Sequence, residues 1–131
     1  MLFTRASILP CLFVPEIFRE EWTLYMTDTE VSSSLKLTVI HQEDSRELSG
    51  VYCCDLLSVA MARAKPDSAW VTVIGNANAV AVANLTDVAC IILAEGYSYD
   101  EAAVAAAKGK VSLYRSESPV FDTAYAVNQL L

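Results

Sequence analysis

The sequence predicts an α/β fold: a single three-layer domain with a mainly parallel sheet of about four to five strands, flanked by helices. Two observations indicate this class. Residues 69–74 and 88–93 are almost wholly apolar, which is typical of strands buried on both faces of a parallel sheet. Segments of helical and strand character also alternate along most of the chain, as they do in βαβ units.

Length and composition are those of one folded domain. The chain has 131 residues, of which 54% are hydrophobic and 19% are charged, and this is enough apolar sequence for one core. Its net charge is −7, and its nine lysines and arginines are scattered. Nucleic acids and anionic membrane surfaces bind basic patches. We therefore expect no nucleic-acid partner and no membrane partner.

The cysteines and the histidine do not form a metal-binding pattern. The four cysteines are Cys11, Cys53, Cys54 and Cys90, and His41 is the only histidine. No C-x-x-C pair or zinc-ligand spacing is present, so we expect no metal site. Cys53 and Cys54 end an apolar run and are predicted to be small buried hydrophobes. Since no secretion signal is evident, we expect reduced thiols and a cytoplasmic location.

Residues 1–26 are predicted to be an extension of the domain that occupies residues 27–131. The apolar run at 8–14 is far shorter than the roughly 20 residues of a membrane span. Two interpretations stay open: a short amphipathic helix at 15–25 that packs on the domain or on a partner, or a poorly packed segment ahead of a natural start at Met26. The apolar face of that helix would carry Ile17, Phe18, Trp22 and Tyr25.

Capping and turn residues divide the first half of the domain. Thr27 and Glu30 have the spacing of a capping box before the first helix. Asp55 is placed to cap the helix that follows the second strand. The predicted elements are a helix at 28–35, strands at 37–40 and 48–53, a helix at 56–64 and a strand at 69–74.

The second half continues the alternation. Asn76 or Asn78 is predicted to cap the next helix, Gly109 to end the one after it, and Ser118 to cap the last. The last helix is expected to bury Phe121 and Tyr125. The predicted elements are a helix at 77–85, a strand at 88–93, a helix at 100–108, a strand at 111–114 and a helix at 119–131.

The predicted site lies at the carboxyl ends of the strands, where ligands bind in open α/β sheets. At residues 75–78 a strand ends in glycine just before a helix, a geometry whose free N–H groups can bind an anion. The alternative is a tight turn capped by asparagine. No G-x-G-x-x-G or Walker phosphate loop is present. The candidate ligand-binding residues are Asp55, Thr72, Gly75, Asn76, Asn78, Glu95 and Gly96.

Four blocks of sequence carry a resemblance to a known family. They are G-x-x-x-x-D-L-L-S at 50–58, A-W-V-T at 69–72, N-x-x-A-V-A at 78–83, and the apolar strand that ends at Gly96. With them, residues 27–131 resemble the DRTGG domain family, and they are similar to the amino-terminal domain of bacterial HPr kinase/phosphorylase. The family's name motif ends in Thr-Gly-Gly, whereas this chain has Ala94-Glu95-Gly96. The charge of Glu95 there weakens anion binding and favours a cationic, amine or neutral ligand, or no ligand at all.

The resemblance implies a regulatory role. DRTGG domains accompany CBS domains in regulated pyrophosphatases, and they also occur in phosphotransacetylases, where they regulate and dimerise. The resemblance therefore implies that this chain forms a homodimer. Small free-standing members found near iron hydrogenase and kinase-like genes further imply a kinase- or hydrogenase-associated protein partner. The phosphate loop of the kinase is absent, so kinase activity is not implied.

Three functions follow as hypotheses. The first is a non-catalytic regulatory and dimerisation module. The second is a sensor of a small ligand, such as a nucleotide, at the strand ends. The third is a small enzyme, or a kinase-associated accessory protein, that uses carboxylates around Asp55. Asp87, Glu95 and Thr72 would have to converge there, and nucleophilic catalysis would depend on the lone His41. We expect a protein that is not an enzyme.

Overall fold

The structure, a computed structural model, describes residues 26–131, so the predicted features at 1–25 lie outside the described residues. Helices and strands follow one another in the predicted order. They are α1 (Asp28–Leu35), β1 (Thr38–His41), β2 (Gly50–Cys53), α2 (Leu57–Arg63), β3 (Ser68–Thr72), α3 (Ala77–Thr86), β4 (Cys90–Leu93), α4 (Glu101–Ala107), β5 (Ser112–Arg115) and α5 (Val120–Leu130). The predicted α/β class is confirmed.

The strands form one five-stranded sheet in the order β1-β5-β4-β3-β2. Strands β2 to β5 are mutually parallel, and β1 pairs antiparallel with β5. Each parallel strand lies directly beside the one before it, so the strand order never reverses between β2 and β5. Right-handed crossovers that all advance in one direction place their helices on one face.

The two faces of the sheet bury separate apolar clusters. Trp70 and Ile91 point into the cluster formed with α2, α3 and α4. Val71 and Ile92, the next residues along the same strands, point into the cluster formed with α1 and α5. Since consecutive side chains of a strand alternate between faces, fully buried strands need apolar residues at every position. The central strands β3 and β4 are buried throughout, as their apolar runs predict.

Several predicted packing roles are wrong. Phe121 and Tyr125 are 72% and 53% exposed and stack on each other, with ring centroids 5.7 Å apart. Cys53 is exposed and only Cys90 of the described cysteines is buried. Asp55 does not cap α2: the cap position is Leu56, which makes no side-chain capping bond. The carboxylate of Asp55 bonds to β3 instead.

Candidate functional site

Asp55 joins the carboxyl ends of β2 and β3. Its Oδ1 accepts hydrogen bonds from the Thr72 hydroxyl at 2.7 Å and from the Val73 N–H at 2.9 Å. Thr72 is completely buried at the end of β3, and its hydroxyl oxygen also accepts from the Ile74 N–H at 3.3 Å. The Asp55 side chain is exposed, and no residue within 26–131 bonds to its Oδ2. One carboxylate oxygen is therefore fixed by the fold, while the other makes no hydrogen bond to the described residues.

The turn after β3 is held by close backbone packing. A Cβ on Gly75 would lie 2.9 Å from the Ser98 carbonyl oxygen, so a larger residue does not fit there. The Gly75 carbonyl accepts from the Asp100 N–H at 2.9 Å. Asn76 caps α3 by accepting from the Ala79 N–H at 2.9 Å. Of the two candidate caps, Asn76 performs this role, and the asparagine-capped tight turn is the form that the structure has.

The turn after β4 faces a different helix. Glu95 and Gly96 both have positive φ, 62° and 73°, and the Tyr97 N–H donates to the Ala94 carbonyl at 3.3 Å, which is a type I′ turn. The carboxylate of Glu95 accepts from the Val120 N–H at 2.9 Å, at the start of α5. Anionic groups are favourable at a helix N-terminus. Glu95 therefore stabilises the start of α5.

The predicted site residues share one edge of the sheet but do not form one cluster. Asp55 and Thr72 bond to each other, and the backbone continues the connection through Gly75 to Asp100. No hydrogen bond within 26–131 joins Asp55 to Asn78 or to Glu95. Asn78 is exposed on the first turn of α3. Of the other carboxylates in the enzyme hypothesis, Glu95 accepts from the Val120 N–H and Asp87 pairs with Arg46.

A charged network that was not predicted from the sequence lies near the amino ends of β3 and β4, at the opposite end of the sheet from Asp55. Arg46 forms ion pairs with Asp67 and with Asp87, the latter at 3.2 Å. Asp28 is only 2% exposed and accepts from the Arg46 N–H at 2.9 Å and from the Tyr114 hydroxyl at 2.7 Å. Burial, together with the bond to Asp28, raises the pKa of Tyr114. This network has no local sequence motif, because its five members come from five separate segments of the chain.

His41 lies at the same end of the sheet, near the amino end of β5. It ends β1, which runs antiparallel to β5, and pairs with Leu113 near the start of that strand. Its Nε2 lies 2.5 Å from the Glu43 carboxylate, which also accepts from the Gly109 N–H at 2.7 Å. The bonds from His41 and from Gly109 lower the pKa of Glu43. His41 thus secures the loop after β1, and three strands lie between β1 and β2, the strand that Asp55 follows.

Between Met26 and Leu131, no three acidic, cysteine or histidine side chains converge in a way that could hold a metal ion. Over the same residues, no helix combines the length and the apolar character needed to cross a membrane.

Comparison with known proteins found no family model and no curated protein that matches this chain. The resemblance to the DRTGG family therefore stays a prediction from the sequence blocks.

Proposed function

We propose that this chain is a non-catalytic regulatory and dimerisation module of the DRTGG type, which binds a small ligand at the carboxyl ends of its parallel strands. The observation that carries the proposal is the half-engaged carboxylate of Asp55. One oxygen is bonded to Thr72 and Val73, and the other lies at an exposed position with no partner within 26–131.

The chemistry of Asp55 defines the ligand class. An ionised carboxylate only accepts hydrogen bonds, and the chain carries a net charge of −7. The ligand would therefore present N–H or O–H donors to Oδ2, as an amine or the base and sugar of a nucleotide do. A ligand bound to Oδ2 would change the position of the loop after β3, because Oδ1 of the same carboxylate accepts from the Val73 N–H.

A regulatory role is supported by what the other candidate residues do. Asn76 caps α3, Glu95 caps α5, and Thr72 is buried beneath Asp55. Each of these side chains holds a turn in place through hydrogen bonds. Side chains used in this way favour ligand binding over catalysis as the role of this end of the sheet.

The homodimer is assigned to the exposed stacked pair Phe121–Tyr125 on α5. Aromatic residues are enriched at protein interfaces, and a second copy would bury both rings. Light scattering should give the mass of a dimer, and Phe121→Ser should shift it toward the monomer. Leu85→Ser, which changes a comparably exposed apolar residue on α3, should leave the mass unchanged. A monomeric mass for the unaltered chain at high concentration would remove the dimer from the proposal.

The ligand is tested with a thermal-shift panel of nucleosides, nucleotides and amines. At least one compound should raise the melting temperature, since a ligand that binds only the folded state stabilises it. Asp55→Asn keeps an oxygen at Oδ1 but removes the charge, and it should weaken the response. A panel without any response, or a response equal in Asp55→Asn, would contradict the assignment.

A further inference from the structure

Among residues 26–131, a groove beside β2 is lined by two cations and by no acidic side chain. It has a volume of about 650 Å³ and runs along the first part of β2 and the end of α2. Arg63 and Lys65 supply the cations, and Ser49, Tyr52 and Ser68 supply hydroxyl groups. This volume lies in the range of small-molecule sites.

The two cations of the groove are not neutralised by carboxylates within 26–131. No ion pair among these residues includes Arg63 or Lys65, and the nearby Asp67 pairs with Arg46. The Arg63 guanidinium is close enough to the Tyr52 hydroxyl for its charge to oppose the rise in pKa that burial causes there. The net charge of the chain is −7, but exposed charges more than about 8 Å apart are largely screened at physiological salt. The groove is therefore locally positive.

The turn that carries Lys65 is held in place by its backbone. The Lys65 carbonyl accepts from the Ser68 N–H at 3.3 Å and from the Ser68 hydroxyl at 2.7 Å. Pro66 follows Lys65, and Asp67 has a φ of 64°, as a type II turn requires. Ser49 donates its N–H to the Asp67 carbonyl at 2.8 Å and its hydroxyl to the Pro66 carbonyl at 2.9 Å. The turn is therefore fixed to the segment that enters β2.

We propose that this groove binds the phosphate group of a small phosphomonoester through Arg63 and Lys65. A phosphomonoester carries a charge of about −1.5 to −2 at pH 7, which two cations neutralise. The guanidinium of arginine matches two phosphate oxygens, and lysine adds a compact positive charge. The volume leaves space beside Tyr52 for the organic part of the ligand. This inference is independent of the ligand proposed for Asp55, which follows the other end of β2 and does not line the groove.

An amide chemical-shift titration of the full chain tests the proposal. The probes are inorganic phosphate and phenyl phosphate, with sodium chloride at equal ionic strength as the reference. Both probes should give saturable shifts at the Gly50, Arg63 and Lys65 amides, while the Val73 amide beside Asp55 should stay fixed. Phenyl phosphate should bind severalfold more tightly than inorganic phosphate, because its ring buries apolar surface beside Tyr52.

Matched variants identify the binding side chains. Arg63→Gln and Lys65→Gln should each weaken the binding of phenyl phosphate by about tenfold, because each removes a charge-assisted hydrogen bond to the phosphate. Lys108→Gln makes the same change of charge just after α4, which packs against β1 and β5 on the other side of the sheet from β2. It should leave the affinity unchanged.

Four results would overturn the proposal. The first is the lack of a saturable shift at millimolar concentrations of either probe. The second is a set of shifts that sodium chloride reproduces, which indicates screening alone. The third is equal affinity for the two probes, and the fourth is a loss of affinity in Lys108→Gln that equals the loss in Arg63→Gln and Lys65→Gln.

Discussion

Replacing Asp55 by alanine should destabilise the fold even though its side chain is exposed. The change removes the acceptor of two hydrogen bonds and leaves the hydroxyl of Thr72, which is completely buried, without that acceptor. Water reaches part of this site, so we expect a loss of about 2 kcal/mol, within the range for bonds to charged groups and unsatisfied buried donors. Asp55→Asn retains an oxygen at the Oδ1 position and should cost less than about 1 kcal/mol.

Urea unfolding followed by circular dichroism measures both variants. With a slope of roughly 1–3 kcal/mol per molar urea, Asp55→Ala should lower the midpoint by about 1 M, and Asp55→Asn by clearly less. Ser58→Ala, on the exposed side of α2, serves as a neutral control. Equal midpoints for Asp55→Ala and the unaltered chain, or equal losses for the two Asp55 variants, would refute the claim that this carboxylate connects β2 with β3.

Three further predictions concern stability. Tyr114→Phe removes the hydroxyl that donates to the buried Asp28 and should cost about 1.5–3 kcal/mol in urea unfolding; an unchanged midpoint would contradict the network. Glu95→Ala removes the acceptor for Val120 and should cost about 1 kcal/mol, whereas Glu95→Gly should cost less, because glycine relieves the positive φ; the reverse order in thermal melts would count against this cap. Burial raises the pKa of Cys90 and of Tyr114, so both hold their protons in the fold while the unfolded chain releases them. The stability they contribute is complete below the unfolded pKa values and should fall above about pH 9. A urea midpoint that is constant from pH 7 to 10.5, or a fall of equal slope in Cys90→Ala, would contradict that reasoning.

Much of the fold was predictable because its signals are local. The apolar runs around Trp70 and Ile92 specify buried strands, and the capping box of Thr27 and Glu30 is present as predicted. Asn76 likewise performs the capping role that its position beside Gly75 indicates. These features depend on residues within one turn or one strand of each other, where propensity and hydrogen-bonding chemistry act directly.

The site was less predictable because its bonds join distant segments. Asp55 has the position of a helix cap, but the parallel register brings Thr72 and Val73 within its reach, and their two donors compete successfully with the helix N-terminus. The pairing of Asp28 with Tyr114 spans 86 residues and has no local signature. The exposure of Phe121 was missed for a related reason: periodicity identifies an apolar stripe on a helix but not which part of the stripe meets the sheet.

The most direct test of the proposed function is an amide chemical-shift titration with nucleosides and small amines. If Asp55 binds a ligand through Oδ2, the largest changes in chemical shift should appear at the Val73 and Ile74 amides, which donate to Asp55 and Thr72. The same compounds should shift those signals clearly less in Asp55→Asn. Signals that stay fixed throughout the titration, or that move at the Arg46 edge and not at Val73, would contradict the account.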